Sequence, residues 1–585
     1  MSQRFEKNLE LWAKERPVEA LRLQYSSYPL PEWKLYEIDS QEEASQWYKN
    51  LPLDHAKVLY IYGIGYGEYY LPLKKWLKKD SEHRVVFLED EKGVLQHFFA
   101  RPLATQMLKD PQVIICSLEA GVLETLYWSF VLSPFAVTAL KSYQNNKPFE
   151  ELKKKIAYET AMKNALVEEY LKYGAAFFRN FYPNMLHLSG SYWGNALFGK
   201  FKGVPAIICG AGPSLEKHLA NLPALKEKAL VFAGGSALNA LANKRITPHF
   251  GAGIDPNSTQ ALRLDKTEAN VPFFYRSRMN AEAVSKITGQ KLYISGVGGY
   301  DIAEYYEKKL GLEADFLDEG HNVINFCSEI AVRMGCNPII YIGLDLAFTE
   351  MKAYAEGIDE SLVSEQELLS TRDEEKRGIY REDIFGKPVL TLWKWVAESE
   401  WLSNFAISHP ETTFINATEG GIGIREVPNQ PLTALPLKED PLPEIQTVIQ
   451  AASMPHVSKE ILKIYTVELK ESLQKCKEII GKLIEEIEKE KLKVETNGIL
   501  TSGESALLET DLYAEPGYIY VLDIFHQVYV RVQNKKAVQI RLNKKGATLQ
   551  QLALQKLDLQ KEKLQFIDQV AESNIILINH YIEYN

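Results

Sequence analysis

The sequence predicts an α/β protein in three parts: an α/β domain over residues 1–182, a doubly wound central domain over 183–435 and an α-helical domain over 436–585. Three observations carry this. Short runs rich in β-branched and aromatic residues alternate with helical stretches as far as Val427, the pattern of parallel sheets. Pro428, Pro431, Pro436, Pro441 and Pro443 then crowd a segment too proline-dense for a helix or a central strand. Beyond them Leu469, Leu473, Cys476, Ile480, Leu483 and Ile487 recur at alternating spacings of four and three, a helical seam.

In the first part, residues 57–62, 84–88 and 113–116 read as buried strands bounded by turn or charged residues. Helical stretches such as 70–79 separate them, which makes the sheet parallel and the domain Rossmann-like. Residues 148–182 read as one or two helices leading into the second part. There the strands fall at 206–209, 230–233, 250–254, 273–276, 292–295, 339–342 and 412–415, with helices including 325–334 and 392–405. Residues 351–385 are charged and weakly periodic. They read as an excursion over the sheet, able to close over a ligand. After the linker, the seam persists for about three heptads, enough for a hairpin within a bundle. Residues 504–585 also read as helical, with an amphipathic last segment after Gly546. The sequence carries no repeats and no low-complexity tract.

Composition narrows the function. At 585 residues, 46% hydrophobic and 25% charged, the chain is neither disordered nor fibrous. Sixty-seven basic against 77 acidic side chains give a net charge of −10, which argues against a dominant nucleic-acid surface. Five scattered cysteines, without a CxxC pair, argue against a disulfide framework or a structural zinc. The first residues, MSQRFEKNLELW, contain no apolar h-region, and no run is long enough to span a membrane. The expectation is a cytoplasmic protein without a membrane span.

The sharpest local signal is the strand at 206–209 running into Gly210-Ala211-Gly212-Pro213-Ser214, with a helix expected to start near Ser214. Glycines let a backbone approach a ligand, and free N–H groups at a helix start attract phosphate. A tight turn without a ligand is the alternative. Gly234-Gly235-Ser236 follows the next strand, and Asp255 ends the third, with Asn257 close behind. All three signals fall at the carboxyl ends of parallel strands, where open α/β sheets bind ligands. Asp255 suits a ribose hydroxyl, a metal or a proton, and otherwise caps its turn. His321 precedes a helix and suits a general base, or is merely structural. Asp345 ends the strand at 339–342 and either orients a substrate or caps the next segment. Thr418-Glu419-Gly420 follows the last strand, as a nucleotide contact or a plain turn. In the first part, Gly63-x-Gly65-x-Gly67 and Glu89 imitate a dinucleotide or S-adenosylmethionine site. That turn is read as structural, with cofactor binding as the alternative.

The stretches GAGPSLEKHLANLP, GGSALNALANKRITPHFGAGIDPN, NVINFCSEIAVRMGCNPIIYIGLDLAF and INATEGGIGI resemble the motility-associated-factor (Maf) family over roughly residues 190–430. The pattern of this central domain is also similar to bacterial sialyltransferases, through Gly210–Leu215 and Gly343-Leu344-Asp345. The resemblance implies a flagellin glycosyltransferase. It would move a nonulosonic, sialic-acid-like sugar from a CMP-activated donor to Ser or Thr of an acceptor protein, flagellin or another. The nucleotide site it implies comprises Gly210–Ser214, Gly234–Ser236, Asp255, Asn257 and Thr418–Gly420, with His321 and Asp345 as catalytic candidates. No DxD pair appears there, so neither a metal nor a further cofactor is required. The chain departs from the sialyltransferases at Ala211 and Asp255, where they carry asparagine. It departs from the Maf pattern at Tyr354, in the neighbourhood of a histidine.

Two alternatives stay open. A related pterin-type pyrophosphokinase family shares the GAGPSL turn and would hold Mg²⁺ on ATP with an aspartate cluster, of which only Asp255 is visible here. The third reading is a degenerate, non-catalytic relative that binds a protein partner.

Overall fold

The computed structural model describes residues 3–14, 16–30, 41–119, 121–144, 147–265, 270–296, 301–318, 320, 322–356, 358, 377–435, 442–454, 456–497, 504–542 and 548–584. The chain forms two compact units. The first comprises Met1–Glu169, Val494–Ile499 and Val528–Leu559, and the second comprises Tyr170–Lys493, Leu500–Gln527 and Gln560–Asn585.

The first unit holds a four-stranded parallel sheet: β1 (Val58–Tyr62), β2 (Arg84–Glu89), β3 (Val113–Ser117) and β4 (Phe135–Ala139), in the order β3-β2-β1-β4. Every residue of β1 and β2 is buried, as expected for strands covered by helices on both faces. Strand β4 escaped the sequence reading. It is an edge strand with three half-buried residues, so its apolar run is diluted.

The second unit is built on an eight-stranded parallel sheet. Its strands are β5 (Tyr192–Trp193), β6 (Ala206–Cys209), β7 (Leu230–Gly234), β8 (Phe250–Gly253), β9 (Phe273–Tyr275), β10 (Lys291–Tyr293), β11 (Ile339–Ile342) and β14 (Phe414–Asn416). Their order is β14-β11-β6-β7-β8-β9-β10-β5. The seven strands expected from sequence are all present, within two residues at each end. The eighth, β5, is two residues long and carries no pattern. Strands β12 (Ile379–Glu382) and β13 (Pro388–Thr391) form a separate antiparallel hairpin. The sequence reads residues 351–385 as an excursion over the sheet and marks no strand at 379–382. Pairing with β13 gives them an element that their alternating exposure could not announce alone. Within that excursion, residues 357 and 359–376 lie outside the described residues.

The order of the strands positions the site. The chain leaves β6 toward β7, β8 and β9, then returns to lay β11 on the other side of β6. The point of reversal is a topological switch, and a crevice opens at the carboxyl ends of the strands there. A core of Ile208, Phe232, Phe250, Phe274, Ile330 and Tyr341, with their neighbours, fixes the sheet beneath it.

Residues 148–182 fall in one helix, Lys147–Leu186, with Pro183 in its last turn. The seam lies on the helix Lys459–Asn497, and all six of its residues are buried. Helices Asp523–Leu542 and Leu549–Tyr584 complete the helical region.

Candidate functional site

A cavity of about 450 Å³ opens at the switch point. Its floor is the backbone of three strand ends: Gly210-Ala211-Gly212 after β6, Gly234-Gly235-Ser236 after β7, and Gly253 to Pro256 after β8. Residues 343–347 after β11 form the next wall.

The glycines are required by close approach. A Cβ on Gly210 would stand 2.3 Å from the carbonyl oxygen of Gly343, and one on Gly212 would stand 2.1 Å from Asp345 Oδ2. The turns after β6 and β11 are laced together. Gly210 N–H donates to Ile342 O at 2.8 Å and Gly212 N–H to Gly343 O at 2.7 Å. Asp345, 1% exposed, accepts the Ser214 hydroxyl at 2.7 Å and the Ser214 N–H at 3.2 Å. Burial pushes its carboxyl above the usual value, and hydrogen bonds from Thr349 and Ser214 offset only part of that rise. Asp345 therefore ties two turns together across 131 residues of chain.

This corrects one expectation. Residues Pro213–Lys217 form a 3₁₀ turn, not the start of an α-helix. Pro213 has no N–H, that of Ser214 goes to Asp345, and that of Leu215 goes to Gly212 O. The expected cradle of free donors at 213–215 is internally satisfied. Donors oriented by a true helix start lie instead at Ser236, where the helix Ser236–Asn243 begins over the cavity.

Of the other residues named from sequence, Asp255 lines the cavity. Its Oδ1 accepts the N–H and the side-chain amide of Asn257, both at 2.9 Å, and its Oδ2 lies 3.6 Å from Arg263. Asn257 is exposed and holds Asp255 from outside the lining. Residues 418–420 also stand behind the lining. Thr418 Oγ1 accepts the Leu344 N–H at 3.0 Å, the Glu419 carbonyl accepts Lys217 Nζ at 2.7 Å, and Gly420 packs on Asp345. They were expected to face a nucleotide, and they brace the 343–345 turn instead. His321 lies outside the described residues. Its neighbour Asn322 lines the cavity and caps the helix Val323–Met334, accepting the N–H groups of Ile324 and Asn325.

The structure adds residues that sequence reasoning missed. Gln260, Arg263 and Arg278 line the side of the cavity beyond β8. Gln260 is 2% exposed, and its Nε2 has no hydrogen-bond partner among the described residues. Tyr354, Trp395 and Glu398 line the side next to β11. The Trp395 ring packs on Phe348, just after β11, with centroids 4.9 Å apart. Glu398 Oε1 is buried without a partner among the described residues, and burial pushes its carboxyl up to about 7. From β11 to β8 is three strand spacings, about 14 Å. The cavity is thus polarised, with two arginines, an amide and the Arg263-paired Asp255 at one end and the carboxyls of Asp345 and Glu398 with aromatic rings at the other. A phosphate suits the first end, and proton chemistry the second.

In the first unit, Glu89 is fully buried and accepts the N–H of Ile64, the N–H of Glu91 and the hydroxyl of Tyr143, each at 3.0 Å. The Tyr143 ring lies 2.8 Å from where a Cβ of Gly63 would stand. The glycine-rich turn and its acid are accounted for by the chain's own packing.

Residues 179–351, less than a third of the chain, match a family model described as 6-hydroxymethylpterin diphosphokinase MptE-like. No curated protein sequence matches. The fold is similar to a solved Maf glycosyltransferase from Magnetospirillum magneticum AMB-1. That likeness covers 100% of this chain and 96% of the other, with a TM-score of 0.51 and 14% identity. The two proteins share a fold from end to end, including the helical C-terminal region.

Proposed function

We propose that this protein is a glycosyltransferase of the Maf type. It would transfer a nonulosonic sugar from a CMP-activated donor to Ser or Thr hydroxyls of an acceptor protein, flagellin or another, in the cytoplasm. The observation that carries the reading is a 450 Å³ cavity at the switch point of a sheet whose whole fold is shared with a Maf glycosyltransferase. In this reading the donor lies along the glycine floor. Its phosphate faces Arg263, Arg278, Gln260 and the start of the Ser236 helix, where charge-assisted bonds and the helix dipole favour an anion. Trp395 and Tyr354 pack against the sugar end. The departing phosphate is stabilised by fixed donors, and transfer rests on positioning and electrostatics without a resident cofactor.

The family-model match over residues 179–351 favours one competitor, a pyrophosphokinase taking ATP with Mg²⁺. Asp255, Asp345 and Glu398 would be its carboxylates. Calorimetric titration with CMP, with ATP plus Mg²⁺ and with S-adenosylmethionine separates the readings. Micromolar CMP binding, weakened at least tenfold in Arg278→Ala and abolished in Ser236→Trp, supports the transferase. Binding of ATP with Mg²⁺ alone transfers the cavity to the pyrophosphokinase. Binding of no nucleotide leaves a partner-binding relative.

A further inference from the structure

Two acids line the β11 end of the cavity, and their surroundings divide the work between them. Asp345 is tied down by the Ser214 hydroxyl and N–H. Glu398 stands in the second turn of the helix Trp393–Ser408, three residues after Trp395, so both side chains share the face that meets the cavity. Its Oε1 is buried and accepts no hydrogen bond from the described residues. A carboxylate oxygen withdrawn from water without a donor is unfavourable by a few kcal/mol, and folds keep such groups where chemistry uses them.

We propose that Glu398 is the proton acceptor for the acceptor hydroxyl in this cavity, a proposal that rests on the glycosyltransferase reading above. As transfer proceeds, the hydroxyl proton passes to the Glu398 carboxylate. The oxygen's electron pair forms the bond to the anomeric carbon. The bond from that carbon to the phosphate oxygen breaks, and its electron pair leaves with CMP. Charge balances, because the proton released by the acceptor is held on Glu398 while the phosphate takes up the negative charge.

The surroundings of Glu398 suit this. Burial holds its carboxyl at about 7, so it takes a proton readily yet is substantially ionised at neutral pH. Lys394, one turn earlier on the same helix, pulls in the opposite direction and keeps the ionised form accessible. Asp345 and Tyr354 share the β11 side of the cavity with Glu398, and Asp255, Arg263 and Arg278 stand beyond β8. Two carboxyls whose environments separate their roles are a recurrent arrangement in glycosyl chemistry.

The test uses the full chain and CMP-activated sialic acid, with water standing in for the acceptor hydroxyl. CMP release is followed from pH 5 to 9 for wild type, Glu398→Gln and Glu398→Asp, and CMP affinity is measured beside it. The expected result is CMP affinity within about twofold of wild type in Glu398→Gln, with turnover lowered at least about 100-fold. The wild-type rate should rise toward a plateau above about pH 7, and Glu398→Asp should recover part of the activity. Turnover and pH profile unchanged in Glu398→Gln would overturn the assignment while leaving the donor site intact. A wild type that neither binds CMP nor releases it would remove the glycosyltransferase reading, and this proposal with it.

Discussion

Glu398→Gln should change how stability depends on pH, whatever the donor proves to be. The carboxyl has an ordinary value of 4.5 and is raised to about 7 in the fold. Between those limits the folded chain keeps a proton that the unfolded chain has released. The folded state binds more protons there, so stability falls as pH rises from about 4.5 to about 7 and is flat above. At ~1.36 kcal/mol per pH unit the interval corresponds to about 3 kcal/mol. Glutamine is neutral throughout and removes this term. Differential scanning calorimetry of both proteins from pH 4.5 to 8.5 reads it directly. The variant's advantage over wild type should grow by about 3 kcal/mol between pH 5 and 8. Parallel curves would show that the carboxyl is solvated like a surface acid and would refute the burial argument.

Two further expectations concern packing. Gly210→Ala drives a methyl to 2.3 Å from the Gly343 carbonyl, against the Gly343–Leu344 backbone, and should destabilise by about 3 kcal/mol or more in chemical denaturation. Gly481→Ala meets nothing within 4 Å inside the helix Lys459–Asn497 and should stabilise by about 0.5–1 kcal/mol in the same assay. In the first unit, Glu89→Ala strips two N–H groups and the Tyr143 hydroxyl of their acceptor, and a loss of at least about 3 kcal/mol is expected. The same variant should leave CMP binding unchanged in the proposed reading, because that turn belongs to the other unit and none of its residues lines the cavity.

How far sequence reaches follows from how local each feature is. Strands β1, β2, β6, β7 and β11 were legible because each is a short apolar run that ends at a glycine or a charge. The glycine turns after β6 and β7 were legible for the same reason. The short strand β5 and the β12–β13 hairpin were not, since two residues carry no period and a hairpin's exposed alternation vanishes beside charged neighbours.

The site was half legible, and the sheet order explains which half. Sequence gives the strands but not their neighbours, so it could not show that β11 inserts beside β6. That insertion alone sets Asp345 against Ser214 and turns residues 418–420 into a brace. The side chains that wall the cavity were hidden differently. Gln260 and Arg263 ride on the helix Thr259–Asp265, and Glu398 rides on Trp393–Ser408. On a helix, a polar residue reads as a solvated face unless something shows that water is excluded. The one available signal was Trp395 three residues before Glu398, an aromatic and an acid on the same face. It gains meaning only once that face meets the end of β11. The backbone that floors the cavity is therefore written locally, in glycines after strands. The side chains that wall it are set by the order in which those strands pair.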